Sequence, residues 1–267
     1  MAIKIGEYSI SKVYIGVTEV LKAYIGDDQV YPDAQPPAPA FSNKIYGHTR
    51  TANATISLKV NGTANSVTSD GSNFFELDCT GVTITSLNQC AYNQSEIADI
   101  TFDIDTSDCT NFGYLAGSLP YATSIDCSKL DVSKSTNFAG MFYNDRSATI
   151  IHPAEGYKHA SNMSNIQFMF FNCYQVTSLD LSDMLNCDNV VNMNGMFRGC
   201  SALATLDMSG IYFDGANMTA ENVFGGCDAL TSVKVAGCQQ AVISFLQLGL
   251  TTTGNTYSQS GDYLIRD

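Results

Sequence analysis

Apolar and polar positions in the last third of the chain follow one rhythm three times over. Residues 168–183 read FMFFNCYQVTSLDLSD, residues 195–210 read GMFRGCSALATLDMSG, and residues 222–237 read NVFGGCDALTSVKVAG. Phe170, Phe197 and Phe224 are 27 residues apart, as are Cys173, Cys200 and Cys227. The same interval separates Leu179, Leu206 and Val233, and Leu181, Met208 and Val235. A period of roughly 20–50 residues means a solenoid, a propeller or an array. Degraded copies extend upstream in the pairs Ile151/Pro153, Ile125/Cys127, Ile100/Phe102 and Phe75/Leu77, so the pattern predicts about seven coils.

Each unit has two halves. In LATLDMSG the spacing L-x-x-L-x-L ends in period-two alternation, which predicts a short strand. Met193, Met196 and Phe197 lie at i, i+3 and i+4, which predicts one or two helical turns with one inward face. A lone unit cannot bury its apolar face, whereas stacked units bury a continuous core and pair their strands in parallel. The predicted fold class is therefore α/β.

The recurring phrase MFxxCxxLxxLDLS resembles the BspA-like leucine-rich-repeat family of bacterial and phage surface proteins, over roughly residues 72–240. The resemblance implies a leucine-rich-repeat (BspA-like) solenoid of about seven coils with parallel strands, used for adhesion or recognition and without catalytic activity.

Outside the repeat the pattern changes. KVYIGVTEVL and KAYIGDDQVY echo each other ten residues apart, with Tyr14-Ile15-Gly16 matched by Tyr24-Ile25-Gly26. Short β-formers with turn residues between them predict an N-terminal β-hairpin module over 1–32. It resembles a small module on tail and virion proteins of bacteriophages of Bacteroides-type gut hosts, which implies anchoring to a partner through Tyr14, Ile15, Tyr24 and Ile25. Residues 33–40, PDAQPPAP, read as a stiff linker. Residues 41–72 read as a β cap before a solenoid over 73–240: Ile56, Leu58 and Val60 alternate, and the following Asn-Gly offers a turn. Residues 241–267 read as the closing cap, since open solenoid ends expose apolar surface and strand edges.

Composition narrows the possible functions. The chain has 267 residues, 45% hydrophobic and only 15% charged, with a formal net charge of −13. Such an acidic chain repels phosphate backbones, so no nucleic-acid partner is expected. No stretch approaches the ~20 apolar residues of a membrane span, so no membrane insertion is expected. The N-terminus lacks a signal-peptide h-region, which fits a phage protein released by lysis. Nine cysteines without a C-x-x-C and three scattered histidines argue against a zinc site, and neither a cofactor nor a metal is expected. Cys173, Cys200 and Cys227 read as buried thiols filling a packing column.

The acidic residues are the candidates for binding. Asp126, Asp180 and Asp207 lie between the two inward residues of their strands and are predicted to point out of the sheet. Ser124, Ser178 and Thr205 share their rows, and the upstream strand adds Asp99, Thr101 and Asp103. These nine residues form a candidate ligand-binding concave face; its plainer reading is a solvated sheet surface. No G-x-S-x-G, H-E-x-x-H or phosphate-cradling glycine loop occurs, so an enzyme is not expected. The expectation is a virion adhesion protein that binds a host surface glycan or protein while its N-terminal module meets other virion proteins or further copies of itself. A bacterial cell-surface adhesin and a purely structural capsid or tail decoration are the alternatives.

Overall fold

The computed structural model describes residues 41–153, 162–181, 189–210 and 219–267, and the backbone of four short strands before residue 30. The chain divides into two units, Met1–Ser42 and Asn43–Asp267. In the first, β1 (Ile3–Ile5) pairs antiparallel with β2 (Tyr8–Ile10), and β3 (Tyr24–Ile25) with β4 (Asp28–Gln29). Tyr24 and Ile25 thus lie on a strand paired with its neighbour in sequence. Tyr14, Ile15 and residues 33–40 lie outside the described residues.

The second unit is mostly β, a solenoid with one short helix. It opens with β5 (Lys44–Thr49), the hairpin β6 (Thr55–Val60) and β7 (Thr63–Thr68), and β8 (Phe74–Asp78). Asn61 and Gly62 turn the hairpin, both at positive φ (51° and 80°), a conformation Asn and Gly tolerate. β5 runs antiparallel to both β8 and β9 (Ile97–Asp103). At Gly47 any Cβ would collide with the Asp99 carbonyl, so glycine lets the cap strand close onto the first coil.

The coils follow. β9, β10 (Ser124–Asp126) and β11 (Ile150–His152) pair in parallel, as do β12 (Ser178–Asp180), β13 (Thr205–Asp207) and β14 (Ser232–Lys234). These pairings close about four turns, not the seven expected. The Phe75/Leu77 pair, read as the first coil, belongs to β8 and runs antiparallel to β5 in the cap. Its alternation fits any half-buried strand, so spacing alone could not separate cap from coil. At the far end α1 (Gln240–Leu250) buries Val242, Ile243, Leu246 and Leu250. β15 (Tyr257–Ser260) and β16 (Tyr263–Arg266) follow as a hairpin, and β16 covers the exposed edge of β14.

The α/β expectation is corrected in the other half of each coil, where the described residues form no helix. Met193, Gly195, Phe197 and Gly199 donate their N–H groups to Thr219, Glu221, Val223 and Gly225 of the next coil at 2.8–2.9 Å. The residues between them bond locally, as Met196 N–H does to the Met193 carbonyl. An α-helix would direct every N–H to residue i−4 of its own segment. Here half of them bind the neighbouring coil, and that is incompatible with a helix. Two left-handed residues four apart bend the segment, Gly195 (φ 59°) and Gly199 (φ 81°), matched by Phe168 and Asn172 one coil earlier and Asn222 and Gly226 one coil later.

This ladder is continuous where the strand sheets are not. Asn111, Asn137, Asn165, Asn192 and Thr219 form successive parallel bridges, one per coil. Each asparagine accepts the N–H two residues ahead, for example Ala139 onto Asn137 Oδ1 at 3.1 Å and Asn194 onto Asn192 Oδ1 at 3.1 Å. Asn137 also donates to Asn111 Oδ1 at 3.0 Å. Beneath it Phe142, Phe170, Phe197 and Phe224 stack face to face at 5.3–5.7 Å, all buried. Burying each ring is worth about 1.5–3 kcal/mol, and each pair adds about 0.5–1.5 kcal/mol.

Candidate functional site

The sheet positions considered for binding fall into two groups. In the first, Asp99 aligns with Ser124 and Ile150, and Thr101 with Asp126 and His152. In the second, Ser178, Thr205 and Ser232 form one row, and Asp180, Asp207 and Lys234 the next. Among the described residues β10 and β11 lie in one sheet and β12 in another, so Ser124 and Asp126 do not share a ladder with Ser178 and Asp180. The second group, with Tyr263 at its edge, surrounds a shallow depression of about 360 Å³.

Most of these carboxylates already have local partners. Asp126 Oδ1 accepts both the N–H and the hydroxyl of Ser128, at 2.9 and 2.7 Å. Asp207 does the same with Ser209, and its other oxygen meets Lys234 Nζ at 2.8 Å. The D-x-S phrase therefore ends the strand with an Asx turn, a reason for these acids that lies in backbone geometry. Burial pushes the Asp207 carboxyl up, but Lys234 and Ser209 outweigh it and hold the group below the usual carboxylate range. The bond to Asp207 correspondingly raises Lys234. Asp99 faces His48 Nδ1 at 3.1 Å. Asp103 does not face solvent as expected: it is buried and paired with Lys129 Nζ at 2.8 Å, beyond the last β9 residue aligned with β10.

The cysteine column is inert. Cys173, Cys200 and Cys227 are free and buried. Each Sγ sits 3.0–3.1 Å from the Phe142, Phe170 or Phe197 carbonyl of the preceding coil. Burial pushes all three thiols up, Cys227 to about 12, which disfavours the nucleophilic thiolate form. One coil earlier the same position holds Asp145. Its Oδ1 accepts the Leu119 N–H at 2.8 Å, while its buried Oδ2 has no hydrogen-bond partner. Burial raises this carboxyl well above the usual range, against the weaker pull of the Leu119 N–H. Among the described residues no cluster of three or more His, Cys, Asp or Glu is placed to hold a metal ion.

The turn segments build a second surface that the strand pattern does not reveal. Tyr92, Tyr114, Tyr143, Phe168 and Phe171, with Gln89 and Arg198, line a groove of about 350 Å³. Its rings follow one another edge-to-face or stacked: Tyr92–Tyr114 at 5.7 Å, Tyr114–Tyr143 at 5.8 Å, and Tyr143–Phe171 at 5.1 Å and nearly parallel. Arg198 lies 5.7 Å from the Phe171 ring centre. Tyr114 and Phe168 occupy the left-handed position filled by glycine in the coils after them. Their rings lie where a Cβ on Gly140 or Gly195 would stand. The signal for this groove was in the sequence, in two columns outside the core: 89-114-140-168-195-222 holds Gln, Tyr, Gly, Phe, Gly and Asn, and 92-117-143-171-198-225 holds Tyr, Gly, Tyr, Phe, Arg and Gly.

Fold and surfaces together define a class, a β-rich repeat solenoid with a polar sheet face and an aromatic turn face. Residues 80–184, less than half of the chain, match the family described as Mycoplasma protein of unknown function, DUF285. No curated protein and no solved structure matches the chain significantly. Among the described residues no helix is long and apolar enough to cross a membrane.

Proposed function

We propose that this chain is a non-enzymatic recognition protein, a virion adhesin whose solenoid takes a host surface glycan or protein on its sheet face. Its N-terminal unit attaches it to other virion proteins or to further copies of itself, and its repeat is of the BspA-like leucine-rich kind. One observation carries the reading: β12, β13 and β14 set hydroxyl and charged side chains in register around an open depression of about 360 Å³. A surface that repeats at the coil spacing suits a partner that is itself extended. Blocking it with Thr205→Trp should abolish attachment of the purified protein to host cells while leaving its fold intact by circular dichroism. Unchanged attachment would reject the sheet face as the binding surface. Mass spectrometry of purified particles tests the location: absence from virions would favour a bacterial surface adhesin.

A further inference from the structure

The turn side of the coils carries a groove that the sheet-face reading leaves unused. We propose that the groove from Tyr92 to Arg198 is a second binding site and that it takes an acidic glycan. Sugar rings pack on Tyr114, Tyr143 and Phe171, and a sugar carboxylate meets the Arg198 guanidinium.

Three independent features point to this occupant. The first is backbone strain. Tyr114 and Phe168 hold φ of 52° and 56°, a region bulky residues rarely adopt. The fold does not require an aromatic there, because the same position is Gln89, Gly140, Gly195 or Asn222 in other coils. Strain kept where the core does not need it marks a functional surface. The second is shape and surface chemistry. The rings are half-buried, one ring wide, and advance by 5.1–5.8 Å per step. Pyranose rings present a face of C–H bonds that packs on the negative face of an aromatic ring. Their equatorial hydroxyls then reach the rim, where the Tyr hydroxyls, the Gln89 amide and Arg198 provide hydrogen-bonding groups.

The third feature is charge. The chain carries 26 acidic residues, yet no carboxylate is among the groove's lining residues, and exposed Arg198 leaves it with a net positive charge. The depression on the sheet face, by contrast, includes Asp180 and Asp207. Repulsion from the rest of the protein is damped over about 8 Å at physiological salt, so the local cation decides the ligand's sign. A planar guanidinium held beside a ring suits bidentate contact with a carboxylate.

The test is retention of the full chain on an array of uronate-bearing, sialate-bearing and neutral oligosaccharides. It is run with wild type, Arg198→Gln, Tyr143→Ala and, as a sheet-face control, Thr205→Trp. Wild type should retain acidic glycans in preference to neutral ones. Arg198→Gln should weaken acidic binding by about ten-fold and leave neutral binding unchanged. Tyr143→Ala should weaken both, whereas Thr205→Trp, which blocks the sheet face, should leave the preference for acidic over neutral glycans in place. Arg198 is exposed, so its variant reads the site even if Tyr143→Ala fails to fold. Retention of no glycan would overturn the proposal, as would equal retention of acidic and neutral glycans by wild type, or acidic binding that survives Arg198→Gln. Loss of glycan binding only with Thr205→Trp would move the site to the sheet face instead.

Discussion

The strand side and the turn side of the same coils treat their polar residues differently. On the strand side, acids and serines serve the backbone: Asp126 and Asp207 close Asx turns, and Lys234 neutralises Asp207. On the turn side, asparagines link coil to coil, while aromatic residues share their columns with glycine and leave rings open to solvent. Both sides repeat every 25–28 residues. A regular row is therefore no sign of function in itself. What distinguishes the turn side is a row that the packing does not require.

Substitutions on the two sides should diverge in stability, and the largest effect belongs to the turn-side core. Phe197→Ala removes the middle of the Phe stack and should cost about 3–5 kcal/mol in urea unfolding. A loss near 1 kcal/mol would mean that the stack is not what joins the coils. Gly195→Ala comes next. Its φ is +59° and its Cβ would lie 2.7 Å from the Phe168 ring, so a cost of about 1–3 kcal/mol is expected. Combining it with Phe168→Ala should recover part of that cost, and strictly additive losses would contradict the ring-over-glycine packing. Asn137→Ala removes one link in the asparagine ladder and should cost about 1–2 kcal/mol, read by thermal unfolding.

Asp145 offers a pH test. Its folded pKa is raised by burial, so its stabilising contribution is complete below the unfolded value of 3.8. That contribution is lost as pH rises from there through the folded value, because the unfolded chain releases a proton that the folded chain retains. Asp145→Cys, matching Cys173 one coil on, should stabilise the protein by about 1 kcal/mol at neutral pH, a rise in Tm of about 2–4 °C. The gain should vanish below about pH 4. A Tm difference that is the same at both pH values would show that burial does not raise the Asp145 carboxyl. The smallest effect belongs to the strand side. Lys234→Ala breaks a half-exposed ion pair and should cost no more than about 0.5 kcal/mol. A larger loss would give the strand side a structural weight that the comparison denies it.

The repeat, the inward columns and the strands were legible in sequence, because burial imposes a period that neighbouring coils share. Phe170, Cys200, Leu206 and Val233 are all buried. The helix expected around Met193–Phe197 was not legible as a turn. Spacing of i, i+3 and i+4 marks one inward face but does not say where the N–H groups go. Phe75/Leu77 was misassigned for a related reason, since a cap strand and a coil strand share the same alternation. Asp180 and Asp207 share a row, but Asp126 lies in a different sheet and Asp103 is buried, and the partners of these acids were not apparent. Ser128 and Ser209 lie two residues ahead of Asp126 and Asp207, and only the turn geometry brings them onto the carboxylates.

By itself, then, the sequence determined the period, the core columns and the stacking of units, because an apolar face that no single unit can bury leaves few alternatives. Tertiary structure alone decided that half the backbone bonds of each turn run to the next coil, that Lys234 of the next coil pairs with Asp207, and that Tyr92, Tyr114, Tyr143 and Phe171 converge on one groove. These are contacts between residues about a full coil or more apart. They follow from how coils register against one another, which no local pattern encodes.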